Sequence, residues 1–147
     1  MKRIPIITRI AALTAVIVGA AAAFALPAGA DIGILSPPIA TVQIGSPATL
    51  VARGVAVTVP VTVLCAAGGR GVLDLSVLQA VGGNIARGFE SVSTGSCTGG
   101  LQTINVVVVA NEHPFRNGTA LATAQFGVCD ATGCISNAHQ REIRIVR

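Results

Sequence analysis

Few side chains in this chain of 147 residues could do chemistry. Glu112 and His113 are adjacent, and His139 and Glu142 lie close together near the end of the chain. A histidine held within hydrogen-bond reach of a carboxylate can move a proton. Adjacent residues in a loop point apart, however, and the chain contains no GxSxG nucleophile motif. These residues therefore read as solvated loop and strand positions, and no catalytic residue is expected. Gly68-Gly69-Arg70-Gly71 is a turn signal, without the following helix that a phosphate cradle requires. Asn117-Gly118-Thr119 has the form of a glycosylation sequon, a motif short enough to arise by chance.

The four cysteines are more informative. Cys65, Cys97, Cys129 and Cys134 all follow the first 30 residues, and an even count in an exported chain reads as two disulfides. Three pairings are possible. Short loops force successive strands to alternate in direction, and that places all four cysteines at one end of the molecule. Cys129 and Cys134 flank a four-residue turn (Asp130-Ala131-Thr132-Gly133), where cross-strand separations suit a disulfide. The favoured pairing is Cys65–Cys97 with Cys129–Cys134, and the rival joins Cys65 to Cys129. A metal centre is not expected. His113 and His139 lie in unrelated segments, and CxxxxC is not a zinc-ligand spacing. No cofactor is implied. If two disulfides stiffen the loops at this end, binding there carries a lower entropic cost. Arg70, Asp130 and Thr132 are then the polar side chains available to a small molecule.

The elements that must position these residues are strands. Residues 31–147 contain 17 Val, 9 Ile and 10 Thr, a β-branched content that suits strands over helices. Apolar residues alternate with period two and are interrupted by Gly, Asn or Pro. Ile39–Ala52 predicts one or two short strands broken at Gly45-Ser46-Pro47. Val55–Cys65 predicts a strand with Val55, Val57, Val59, Val61 and Val63 on one face, and with Pro60 facing an edge or bulge. Ala66–Gly71 is a turn, followed by Val72–Val81 with Leu73, Leu75, Val77 and Val81 on one side. Gly82-Gly83-Asn84 is a hairpin turn. Ile85–Ser96 is a weaker strand with Ile85, Arg87 and Phe89 on one side, and Thr98-Gly99-Gly100 turns again. In Leu101–Ala110, the run Val106–Val109 predicts burial on both faces. Asn111–Gly118 is the longest polar connection, and Thr119–Cys129 and Cys134–Val146 are the last two strands. About seven strands with short loops is the pattern of an all-β sandwich.

Residues 1–30 have a cationic start (Lys2, Arg3, Arg9), an apolar run Ile10–Leu26 and the small-residue end Ala28-Gly29-Ala30, the three parts of a signal peptide. Cleavage is expected between Ala30 and Asp31, leaving 31–147 as a single secreted domain with no membrane span. An uncleaved anchor is the alternative, because the apolar run is near the length of a span. The secreted part carries seven Arg, no Lys and six acidic residues, a net charge of +1. That balance excludes a strongly cationic nucleic-acid binder.

The strands VAVTVPVTVLC, GTALATAQFGVC and REIRIV resemble bacterial members of the immunoglobulin-like superfamily, which implies a Greek-key sandwich of about seven strands. The core Trp and the tyrosine corner of antibody domains are missing, since the chain has neither Trp nor Tyr. More narrowly, VCDATGC and the segment after it, residues 119–147, resemble the C-terminal disulfide hairpin of the neocarzinostatin family. Its members are small secreted actinobacterial immunoglobulin-like proteins that carry enediyne chromophores. Aromatic cleft residues are scarce here, and only Phe89, Phe115 and Phe126 occur after residue 30. The expected function is contact outside the cell by a monomeric, non-enzymatic, exported bacterial protein with an extracellular or cell-surface partner. The alternative is a small-molecule carrier that uses the cysteine-rich end.

Overall fold

A computed structural model describes residues 39–147. The expected leader and the Ala30/Asp31 cleavage point lie outside the described residues. Eight strands follow one another: β1 (Ala40–Ile44), β2 (Ala48–Val51), β3 (Ala56–Cys65), β4 (Arg70–Val81), β5 (Asn84–Ser96), β6 (Leu101–Val109), β7 (Gly118–Asp130) and β8 (Gly133–Val146). One 3-10 turn, Ala52–Gly54, separates β2 from β3. No helix among the described residues is long and apolar enough to cross a membrane.

The strands make two layers. β1, β3 and β6 pair antiparallel in one, and β5, β4, β7 and β8 pair antiparallel in the other. β1 packs across β7 and β8, and β6 across β5 and β4. β2 belongs to both layers, because it runs antiparallel to β3 and parallel to the end of β8. On the opposite side a bridge between Gly88 and Ala110 links β5 to the end of β6. There a Cβ on Gly88 would collide with the Val109 carbonyl oxygen, so only glycine admits the approach. The result is an immunoglobulin-like Greek-key sandwich. It has eight strands rather than about seven because the first segment breaks at Gly45-Ser46-Pro47 into β1, which pairs with β3 alone, and β2, which pairs with β3 and β8.

Period-two alternation fills the core. Val57, Val59, Val61 and Val63 of β3 face Leu73, Leu75 and Val77 of β4 and Ala122, Ala124 and Phe126 of β7, all fully buried. Each such large side chain contributes roughly 1.5–3 kcal/mol on burial. Pro60 sits where β3 meets the break between β1 and β2. Its carbonyl oxygen accepts a bond of 2.7 Å from the Gly45 amide. Its ring nitrogen shares that side, so the missing N–H falls at the gap in the partner strand.

Several expectations need correction. Val55 is 56% exposed, because the chain is still turning there and the strand begins only at Ala56. Val106 and Val108 are buried, but Val107 and Val109 are about half exposed. β6 covers the core with one face only, and among the described residues no second layer lies behind it. Arg70 and Gly71 already belong to β4, so the preceding turn is shorter than Ala66–Gly71. In β5, Ile85, Arg87 and Phe89 do share one side, as expected; it is the outward one, and the inward positions hold the small residues Ala86 and Gly88.

Candidate functional site

Two disulfides close one end of the sandwich, Cys65–Cys97 and Cys129–Cys134. This is the favoured pairing, and the rival Cys65–Cys129 bond is not made. Cys65 and Cys97 are buried, and they tie the end of β3 in one layer to the residue after β5 in the other. The turn after Cys65 is also bonded to Cys97: the Cys97 amide donates to Gly69 O at 2.8 Å and the Gly68 amide to Cys97 O at 3.0 Å. Cys129 and Cys134 face each other at the exposed tip of the β7–β8 hairpin.

Of the three ligand candidates at this end, the structure joins two. Asp130 Oδ1 accepts from the Thr132 amide (2.7 Å), the Thr132 hydroxyl (2.6 Å) and the Gly133 amide (3.2 Å). These bonds stabilise the charged form. The Thr132 hydroxyl foremost, then the Thr132 amide and last the Gly133 amide, holds the Asp130 carboxyl below its ordinary range against an opposing effect of desolvation. The pair therefore caps its own turn. Arg70 stands apart. It is opposite Cys129 in the β4–β7 register, on the outward face, whereas Asp130 falls on the other side by strand alternation.

The acid–base candidates are dispersed. Arg87 Nη2 donates to Glu112 Oε1 at 2.7 Å, an ion pair exposed on both sides. Glu142 lies across Leu78 and Leu121 from Arg87, three strands away and thus roughly 14 Å from that pair. His139 Nδ1 accepts the Ile44 amide at 3.1 Å while Arg141 Nη1 donates to Ile44 O at 3.1 Å, so both fasten β1 against β8. His113 is exposed in the loop.

The other end holds a feature not expected from the sequence. The connection Asn111–Gly118 is pinned rather than loose. Phe115 is fully buried in the core, and its amide donates to Gly54 O at 2.8 Å. The buried Gln79 grips the next residue twice: its Nε2 donates to Arg116 O and its Oε1 accepts the Arg116 amide, both at 2.8 Å. Opposite, Ala52, Arg53 and Gly54 have φ of 48°, 60° and 102°. Positive φ at a non-glycine residue costs roughly 1–3 kcal/mol and persists only where the surroundings impose it. Here the imposition is the close approach of Gly54 to Phe115, where a Cβ on Gly54 would strike the Phe115 carbonyl oxygen. The β2–β8 and β7–β8 registers run out together at Arg147, which brings Leu50 and the 116–117 segment alongside it. Leu50, Arg53, Arg116, Asn117 and Arg147 line one cleft of about 730 Å³. Two signals pointed this way in the sequence: a phenylalanine inside a polar loop, and a glutamine at the inward position after Leu73, Leu75 and Val77.

The chain matches no family model and no curated protein. Among solved structures it is similar to AggA, the major subunit of aggregative adherence fimbriae type I from Escherichia coli. The identity is 14% over 76% of this chain and 95% of that one, with a TM-score of 0.34. A likeness of that size carries no weight for function, which has to come from the geometry.

Proposed function

We propose that the protein is an exported, monomeric and non-enzymatic β-sandwich of bacterial origin that works by contact outside the cell. In this reading residues 1–30 are its export signal and 31–147 its working domain. The observation that carries the reading is the use made of the candidate polar groups. Glu112 is spent on Arg87, His139 on the Ile44 amide and Asp130 on its own turn, in three separate places. Two disulfides, one buried between the layers, support an oxidising compartment. The neocarzinostatin-like hairpin supports the fold, and no chromophore role is proposed from it.

Native mass spectrometry of protein recovered from the culture medium, repeated after denaturation, tests the export half. The expected denatured mass is that of residues 31–147 less about four hydrogens, as two disulfides require. A chain that keeps its first 30 residues or four free thiols would contradict it. Screening the same material against ester, glycoside and peptide substrates tests the other half. Turnover abolished by Glu112→Gln or His113→Asn would make it an enzyme.

A further inference from the structure

The secreted part has a net charge of only +1, yet three of its seven arginines line one cleft at the end opposite the disulfides. No acidic residue is among those that line it. Among the described residues, no hydrogen bond or ion pair engages the guanidinium groups of Arg53, Arg116 or Arg147; Arg70 and Arg144 are free in the same way but stand alone, while Arg87 is paired with Glu112 and Arg141 holds Ile44. Like charges repel, and a chain with no net need for cations gains nothing in stability from gathering three of them. Two of them also sit on fixed backbone. Arg116 is clamped through its amide and carbonyl by Gln79, and Arg53 is held in the left-handed region between Ala52 and Gly54. A binding site benefits from this arrangement, because donors already in place lose little freedom when a ligand arrives.

The chemistry of the lining narrows the ligand. Each guanidinium can present two parallel donors to a planar or tetrahedral oxyanion, and Asn117 adds an amide. At about 730 Å³ the cleft is far larger than a single phosphate, so it suits several anionic groups on one chain better than one free ion. No aromatic side chain lines it, so nucleobases have nothing to stack on. We propose that this cleft binds a phosphate chain without bases, the anionic groups being shared among Arg53, Arg116 and Arg147. This adds a site to the contact role above, and it is measured on purified protein, so it stands or falls separately from export.

Isothermal titration with short-chain inorganic polyphosphate tests it. The expected result is saturable binding that weakens with salt and exceeds binding of orthophosphate. Arg116→Ala and Arg147→Ala should each weaken it about tenfold or more, while Arg70→Ala and Arg87→Ala leave it unchanged. Arg53→Gly separates binding from folding. Glycine relieves the positive φ, so the thermal midpoint should hold or rise while affinity falls. The proposal is overturned if polyphosphate does not saturate, or if orthophosphate binds as tightly. It is equally overturned if the three cleft variants bind like the unaltered protein. Equal or tighter binding of dextran sulfate, single-stranded DNA or anionic phospholipid vesicles would also remove the phosphate-chain assignment.

Discussion

At the end where β3, β5 and β7 finish, two disulfides hold the turns, and Asp130 and Thr132 bond to one another. At the opposite end the described residues contain no covalent link. A buried phenylalanine and a buried glutamine hold the loop instead, and three guanidinium groups are left facing the cleft. The contrast shows that what orders a loop decides which of its groups remain for a partner. Asp130 and Thr132 are used up by the tip of their own hairpin. Phe115 and Gln79 order the other end through the core and the backbone, so the side chains of Arg116 and Arg53 are not needed for the fold.

Each half of this contrast can be broken by mutation. Phe115→Ala should cost most, about 3–5 kcal/mol in denaturant unfolding, because it empties a filled core position and frees the 111–118 segment. A loss under about 1 kcal/mol would show that the loop is not held through the core. Next, replacing Cys65 and Cys97 together by Ala should cost about 3–4 kcal/mol, and the same change at Cys129 and Cys134 about 2 kcal/mol. The loop-entropy model predicts this order from sequence separations of 32 and 5. The reverse order in thermal melts would mean the hairpin tip, rather than the link between layers, is the staple that matters. Gln79→Leu keeps the volume but orphans the Arg116 amide and carbonyl, and should cost about 1–3 kcal/mol. Polyphosphate binding should weaken with it.

The smallest effect concerns Asp130. Its folded pKa lies below the unfolded one, so its support for the hairpin tip is complete above the ordinary carboxylate range. That support is lost as the pH falls through the lower, folded value. Thr132→Val removes the largest cause, and an NMR titration should then find the Asp130 carboxyl shifted up toward its ordinary range. Because the site is exposed, global stability should hardly change. An unmoved titration would dissolve the view of Asp130 as a turn cap.

How far the sequence could be read follows the same division. The strands β3 and β4 were legible because alternation is local, and Gly82-Gly83 marks its hairpin with two positive φ values. The cysteine end was legible because strand direction alone brings all four cysteines together. Arg53, Arg116 and Arg147 come from three distant segments, and only the β2–β8 pairing and the burial of Phe115 bring them to one cleft. No local pattern carries that. The run Val106–Val109 misled because four consecutive valines hide the alternation that exposes Val107 and Val109. Glu90, half-buried at the inward position opposite Leu75, was silent in the sequence. On the edge strand β5 an inward-turned charge discourages pairing with another sheet.

The contrast between the ends reduces to one measurement: amide chemical-shift mapping of the protein during titration with polyphosphate. Shifts are expected at Arg53, Gly54, Arg116, Asn117 and Arg147, with Arg70, Asp130 and Thr132 unmoved. Shifts confined to the cysteine end, or none at saturating ligand, would contradict it.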